Sequence, residues 1–227
     1  MAARARPDDV REACLVEAFR IIEEAGIEKL SLRDVARRVG VSHQAPYKHF
    51  PSRDHILAEI VARCFDEFAV FLGTRPPSDQ PHEDLQAMGL LYLEYAQRHP
   101  LKYRLMFSTP LPDPRRHPRM MQNAHHAFSI LRDRLQGMPL RQTEPQSTRS
   151  TDLDAMFIWS TLHGLSSILH SDMLAALKMS ELDQRRSVQR CFARLSLALS
   201  GNDGTPAIPK RPLRKSEARS SSSTRRR

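Results

Sequence analysis

Apolar residues recur every three to four positions along most of the chain, and no segment reads convincingly as a strand. Val10, Cys14, Ala18, Ile21 and Ala25 form one such stripe, widened by Leu15, Phe19 and Ile22. A period of 3.6 places these side chains on one face and predicts an amphipathic helix. Asp9 is placed to cap it, with Glu12 three residues on to reach back, and Gly26 to end it. A second helix opens at Ser31, with Asp34 three residues later and Leu30 poised to pack on Val35. Leu32, Val35, Ala36 and Val39 form its inner face and Gly40 stops it. Ser42 is expected to cap a third, short helix reaching about His49.

Pro51-Ser52 begins a longer helix whose stripe runs Ile56, Ile60, Cys64, Phe68, Phe71, thickened by Leu57, Val61 and Phe65. After a Pro-rich connector from Gly73 to Pro81, helical patterning resumes over about 83–98, 101–107, 119–135, 153–170 and 181–199. A Pro-rich loop from Ser108 to Pro118 and a polar stretch from Gly137 to Thr151, expected to be mobile, interrupt this set. Beyond Gly201 the chain turns to Lys, Arg, Ser and Pro, and 201–227 is expected to be a disordered basic tail. The fold expected is all-α.

Composition narrows the functions. The 227 residues are ample for a core. The eight glycines form neither a dinucleotide-binding nor a P-loop pattern. Cys14, Cys64 and Cys191 are odd in number, far apart and without CxxC spacing. Among the ten histidines, His125 and His126 diverge on a helix, and His163 and His170 share a face without an acidic or cysteine partner. No metal, no cofactor and no enzymatic activity are expected, since no nucleophile–base pair or paired carboxylates accompany them. Residues 1–10 do not resemble a secretory leader and no stretch is apolar enough to span a bilayer, so a cytoplasmic location without a membrane partner is expected. The net charge of +9 suggests nucleic acid, but residues 210–227 alone carry eight basic residues against one acidic. That tail is either a non-specific DNA anchor or a solubilising appendage.

Residues Ser31–Phe50, SLRDVARRVGVSHQAPYKHF, have the layout of a helix-turn-helix. Gly40 permits the tight turn, and Val35, Ala36, Val39, Val41 and Ala45 supply the inner faces. His43 and Gln44 then fall where base edges are read, Gln44 being able to bond adenine bidentately. Tyr47, Lys48 and His49 suit phosphates, and Arg33, Ser42 and Arg53 lie close enough to join them. The helix starts at Ser31, Ser42 and Ser52 offer backbone N–H groups to phosphate oxygens.

With AGIEKLSLRDVARRVGVS, the aromatic pair Tyr47 and Phe50, and PSRDHIL in hand, the segment from about Asp8 to Phe68 resembles the N-terminal domain of the TetR family. Pro46 departs from the resemblance, since the family more often carries an aliphatic residue there; a proline inside the recognition helix costs one backbone bond. The C-terminal half is similar, more weakly, to the family's Trp-His-Gly subgroup through LEYAQRHPLKYRLMF and the Trp159, His163, Gly164 arrangement in WSTLHGL. Gly164 is expected to allow close approach by another helix.

The resemblance implies a DNA-binding domain at 8–68 and a ligand-binding and dimerisation domain at 83–200. The last two long helices would pair with their copies in a homodimer. A cavity for a small apolar effector would draw on Tyr92, Tyr95, Tyr103, Met106, Phe107 and Met121, and on His125, Phe128, Met156, Trp159 and His163. The implied function is a ligand-responsive regulator, a repressor by family habit, reading double-stranded DNA at a near-palindromic operator. The rival reading is a ligand-binding adaptor that keeps the fold without reading DNA.

Overall fold

Helix boundaries follow the caps and breakers along the chain. A computed structural model describes residues 7–136, 151–171 and 173–200, and these contain helices, turns and coil but no strand. The polar stretch 137–150 and the basic tail 201–227 lie outside the described residues. Helix α1 spans Pro7–Ala25, two residues earlier than the expected Asp9 cap. Proline is tolerated at a first helical position, where its missing N–H would have been unpaired anyway. Gly26, at φ +89°, ends the helix and leads into a 3₁₀ turn over Ile27–Lys29.

Helix α2, Leu32–Val39, is closed at both ends as expected. The Asp34 amide donates to Ser31 Oγ at 3.1 Å, and Ser31 Oγ donates to the Asp34 carboxylate at 2.6 Å. Gly40 takes the left-handed conformation, φ +76° and ψ +29°, that ends it. Ser31→Ala removes the only side-chain acceptor at this cap and is expected to cost about 1 kcal/mol. A shift in the thermal unfolding midpoint would measure it, and an unchanged midpoint would show that the cap is dispensable.

Helix α3, Arg53–Leu72, is the long connecting helix. Its 20 residues span about 30 Å at 1.5 Å per residue. One end packs in the head, where Cys14, Ala18, Val35, Ala36 and Ile56 are fully buried; the other brings Phe65, Phe68 and Leu72 into the body. The body comprises α4 (Pro81–Arg98), α5 (Pro100–Phe107), α6 (Pro118–Gln136), α7 (Thr151–Leu169), the four-residue α8 (Met173–Ala176) and α9 (Glu181–Ser200). Helix α6 lies along α3. Asn123 Nδ2 donates to the Ala62 carbonyl at 2.9 Å, and Arg119 pairs with Glu59 at 2.6 Å. The head is thus fastened to the body along one shared helix.

Gly164 is not where helices of this chain converge, since a Cβ there would meet nothing within 4 Å. The close approach is at Gly89 on α4, where a Cβ would lie 2.9 Å from Cζ of Phe192 on α9 and closer still to its Cε1. The two bulky neighbours of Gly164 on α7, Trp159 and His163, turn inward instead, and Gly164 is left on the opposite side.

Candidate nucleic-acid interface and ligand cavity

The segment after Gly40 is not the short α-helix expected from Ser42 to His49. Residues 43–45 form a turn and Pro46–Lys48 a single 3₁₀ turn, entered from Ala45 rather than capped by Ser42. The cause is Pro46. An α-helix here would need its N–H to reach the Ser42 carbonyl, and proline has none. The Ala45 amide takes that carbonyl at 2.9 Å, and the tighter pattern continues as Lys48 N–H donates to Ala45 O and His49 N–H to Pro46 O. Pro46 itself is fully buried. It occupies the inward position of the segment, while Tyr47, 48% exposed, points away.

His43, Gln44 and Lys48 are also exposed, as are Arg33 and Ser42. Arg33 and Lys48 have no ion-pair partner within 4 Å among the described residues, so their charges are available to an external anion. Arg37 and Arg38 are engaged with Asp34 at 2.9 Å and Glu24 at 2.8 Å. Arg53 is committed as well: Nε donates to the Leu30 carbonyl at 3.1 Å and a terminal nitrogen to the Ile27 carbonyl at 2.6 Å. It braces the loop between α1 and α2 from the start of α3. Ser52 Oγ lies 2.8 Å from His55 Nδ1, Ser31 caps α2, and His49 is half-buried.

Behind the head, α3 to α7 enclose a cavity of about 360 Å³, within the range of small-molecule sites. Eight of the eleven expected residues line it: Tyr92, Met106, Phe107 and Met121, then His125, Phe128, Met156 and Trp159. The other three do not. Tyr95 is buried behind the wall, with its hydroxyl 3.5 Å from the Cys64 carbonyl. Tyr103 and His163 form a polar layer behind Tyr92. Tyr103 Oη lies 2.7 Å from His163 Nδ1 and 2.9 Å from Tyr92 Oη. Burial pushes the His163 imidazole below its ordinary value, so it is neutral at pH 7. In the Nε2–H tautomer the ring accepts at Nδ1 from Tyr103, whose oxygen then accepts from the Tyr92 hydroxyl; the Nδ1–H tautomer would reverse the first of these bonds. Both tyrosine hydroxyls are pushed up by burial and stay protonated.

Sequence reasoning missed the contribution of α3. Phe65, Phe68 and Leu72 line the cavity, and so do Met88 and Gly89. The available signal was length: the apolar stripe of α3 continues two turns past anything the head could cover. No lining residue carries Lys, Arg, Asp or Glu. Among the described residues no group of three His, Cys, Asp or Glu could hold a metal, and no helix is long and apolar enough to cross a membrane.

Residues 15–60 match the family model described as bacterial regulatory proteins, tetR family, and residues 85–195 match the tetracyclin repressor-like C-terminal domain. The chain belongs to the TetR family. The first TetR match covers the helix-turn-helix and the second covers much of the cavity wall. The transcriptional repressor KstR of Rhodococcus jostii is 31% identical over 91 residues, 40% of this chain and 42% of that protein. The transcriptional regulator EthR of Mycobacterium tuberculosis is 28% identical over 90 residues, 39% of this chain and 42% of that protein. The matched segment thus spans about two fifths of each relative. A solved protein of unknown function from Rhodococcus sp. RHA1 shares the fold with a TM-score of 0.68 at 20% identity, covering 87% of this chain and 97% of that one. A TetR/AcrR regulator from Thermobifida fusca does so with a TM-score of 0.57 at 18% identity, over 83% and 97%.

Proposed function

We propose that this TetR-family chain is a ligand-responsive transcriptional regulator, acting as a repressor, that binds a near-palindromic operator as a homodimer. The observation that carries the reading is the segment 42–48, which is held from beneath by buried Pro46 while Ser42, His43, Gln44, Tyr47 and Lys48 face out. His43 and Gln44 would read base edges; Arg33, Ser42, Tyr47, Lys48 and His49, with the amides at Ser31, would hold phosphates. Arg53 would act chiefly by fixing the loop that positions them.

The homodimer is supported by apolar side chains that the chain leaves uncovered on its last helices. On α7, Leu153, Phe157 and Ile168 are 67%, 45% and 50% exposed; on α9, Leu182 and Leu197 are 57% and 46% exposed. Gly164 falls seven residues after Phe157 and four before Ile168, on the same stripe. Its open space suits a partner helix. Two heads so joined would enter successive major grooves about 34–36 Å apart.

The effector would be uncharged and mostly apolar, because a fixed charge in this cavity would find no counter-ion. Helix α3 supplies the coupling: it follows the recognition segment directly and its far end forms the cavity wall. A ligand that displaces Phe65 and Phe68 would tilt α3 and change the spacing of the heads, with a coupling of about 1–3 kcal/mol. In vitro selection from random duplexes, with residues 201–227 deleted, tests the reading. A two-fold-symmetric motif is expected, and Gln44→Ala should relax it at one position per half-site at a cost of about 1–3 kcal/mol. Recovery of no motif would favour the adaptor instead.

A further inference from the structure

A groove of about 210 Å³ opens where the head meets the body. Arg11 of α1, His49 at the end of the recognition segment, and His55 and Glu59 of α3 form one side. Arg116, His117 and Arg119, in the turn that leads into α6, form the other. Three arginines therefore face one carboxylate, Glu59, which Arg11 meets at 2.9 Å and Arg119 at 2.6 Å. The remaining acids near the turn are Asp54, which pairs loosely with Arg53 at 3.7 Å, and Asp113.

The turn itself has a fixed backbone. The Arg115 amide donates to the Asp113 carboxylate at 3.0 Å and the Arg116 amide to the Asp113 carbonyl at 3.0 Å. The side chains of Arg115 and Arg116 are exposed, and neither guanidinium has an ion-pair partner among the described residues. His117 is 8% exposed and meets His55 edge-on, ring centroids 4.8 Å apart. Neither of its ring nitrogens has a hydrogen-bond partner among the described residues. Burial, reinforced by His55, holds its pKa down against the pull of Asp54 and Asp113, so at neutral pH it offers one N–H without a charge.

Such a surplus of donors suits an anion, and its position says which. His49 ends the base-reading segment, and His55 lies in the first turn of the helix that follows. We propose that the 114–119 turn is an accessory DNA contact, in which Arg115 and Arg116 neutralise a backbone phosphate of the duplex flanking the helix-turn-helix. The contact rests on the DNA-reading function proposed above. It would fix position without reading sequence. It also gives the effector a second route to DNA. The turn leads directly into α6, whose Met121, His125 and Phe128 line the cavity, so a ligand that moves α6 moves this contact too.

The test compares the full chain with an Arg115→Ala/Arg116→Ala variant, binding the selected operator between 50 and 200 mM salt. Each phosphate that the protein no longer neutralises flattens the slope of log K against log salt by about 0.9. Giving up one phosphate in each protomer of a dimer therefore flattens it by about 1.8, and the deficit of the variant grows about tenfold from 200 to 50 mM. The selected motif and the thermal midpoint are expected not to change. The basic tail is common to both chains and cancels in the comparison. Equal slopes overturn the inference. So does a result in which inorganic phosphate alone stabilises the wild type but not the variant while the slopes agree, since the groove is then a small-anion site. Should the wild type select no motif, the same comparison on an arbitrary duplex still decides: a difference in slope sustains the contact while the sequence-reading function fails, and equal slopes remove both.

Discussion

Phe68→Ala is expected to destabilise the protein by about 3–5 kcal/mol, the largest effect among the substitutions proposed. Phe68 is 3% exposed on α3. Its ring meets those of Tyr95, Tyr92 and Phe107 edge-on, with centroids 4.9, 5.5 and 6.0 Å away. It therefore ties α3 to both α4 and α5. Truncation removes a buried ring and leaves a void that cannot collapse, because the neighbouring rings are held by one another. Tyr92 contacts Tyr103 and Phe107, and Tyr95 contacts Phe71. One face of Phe68 already borders the ligand cavity. Fewer packing partners stand on that side, which places the expectation toward 3 kcal/mol. Phe68→Leu keeps most of the apolar volume and is expected to cost less than half as much. Urea unfolding of both variants measures the difference. A loss below about 1 kcal/mol for the alanine variant would mean that α3 is not held through this cluster, and the coupling route through α3 would fall with it.

The same residue shows what the sequence could and could not disclose. The period of 3.6 marked Phe68 as inward, and every long helix in the described residues starts and stops within two residues of its expected bounds. Caps and breakers act locally, through one side chain or one φ angle, so they can be read from neighbours in the chain. Ser31, Gly26 and Gly40 behave in this way. A cavity is different. Whether an inward aromatic meets another side chain or empty space depends on helices dozens of residues away. The expected lining accordingly mixed Tyr92, which borders the space, with Tyr95, which turns to Cys64 behind it.

The recognition segment failed at an intermediate level. The proline was visible, and so was the loss of one backbone bond. The outcome depended on whether Pro46 would be driven outward or swallowed by the head. Burial won, because the ring is apolar and the 46–48 turn packs against α1 and α2 of the head. The chain then met the missing donor by tightening to i→i+3 bonds instead of unravelling. Tyr47 and Lys48 remain outside as the layout required, on a turn shorter than a helix.

Gly89→Ala is expected to destabilise the protein by about 1–3 kcal/mol, the range of overpacking in a well-filled interior, although alanine is the better helix former by about 1 kcal/mol. Gly89 is buried on α4, and the added methyl would lie 2.9 Å from Cζ of Phe192 and nearer to Cε1. A methyl and an aromatic carbon need about 3.5–4.0 Å. The ring must therefore move by about an ångström. Leu162 Cδ1 would stand in ordinary contact with the same methyl, at 3.5 Å, so the Phe192 ring is the neighbour that must give. Phe192 with Leu195 and Leu199 supplies the buried face of α9, so displacing the ring disturbs the packing that seats that helix. The second consequence is thus assembly: a displaced α9 should weaken the proposed homodimer, and sedimentation at graded concentration should show more monomer. Phe192→Leu in the same chain removes the obstructing carbons and should recover most of the loss, giving a coupling in the double-mutant cycle of about 1 kcal/mol or more. If Gly89→Ala is neutral, or Phe192→Leu fails to rescue it, Phe192 does not press on α4. The neighbouring space makes the pair informative about the ligand as well. Gly89 faces the large cavity, and Phe192 lines a smaller void of about 100 Å³ that shares Leu85, Ile158 and Leu162 with it. A ligand that pushes on this partition would reach α9 through the same point of packing that the alanine substitution overfills.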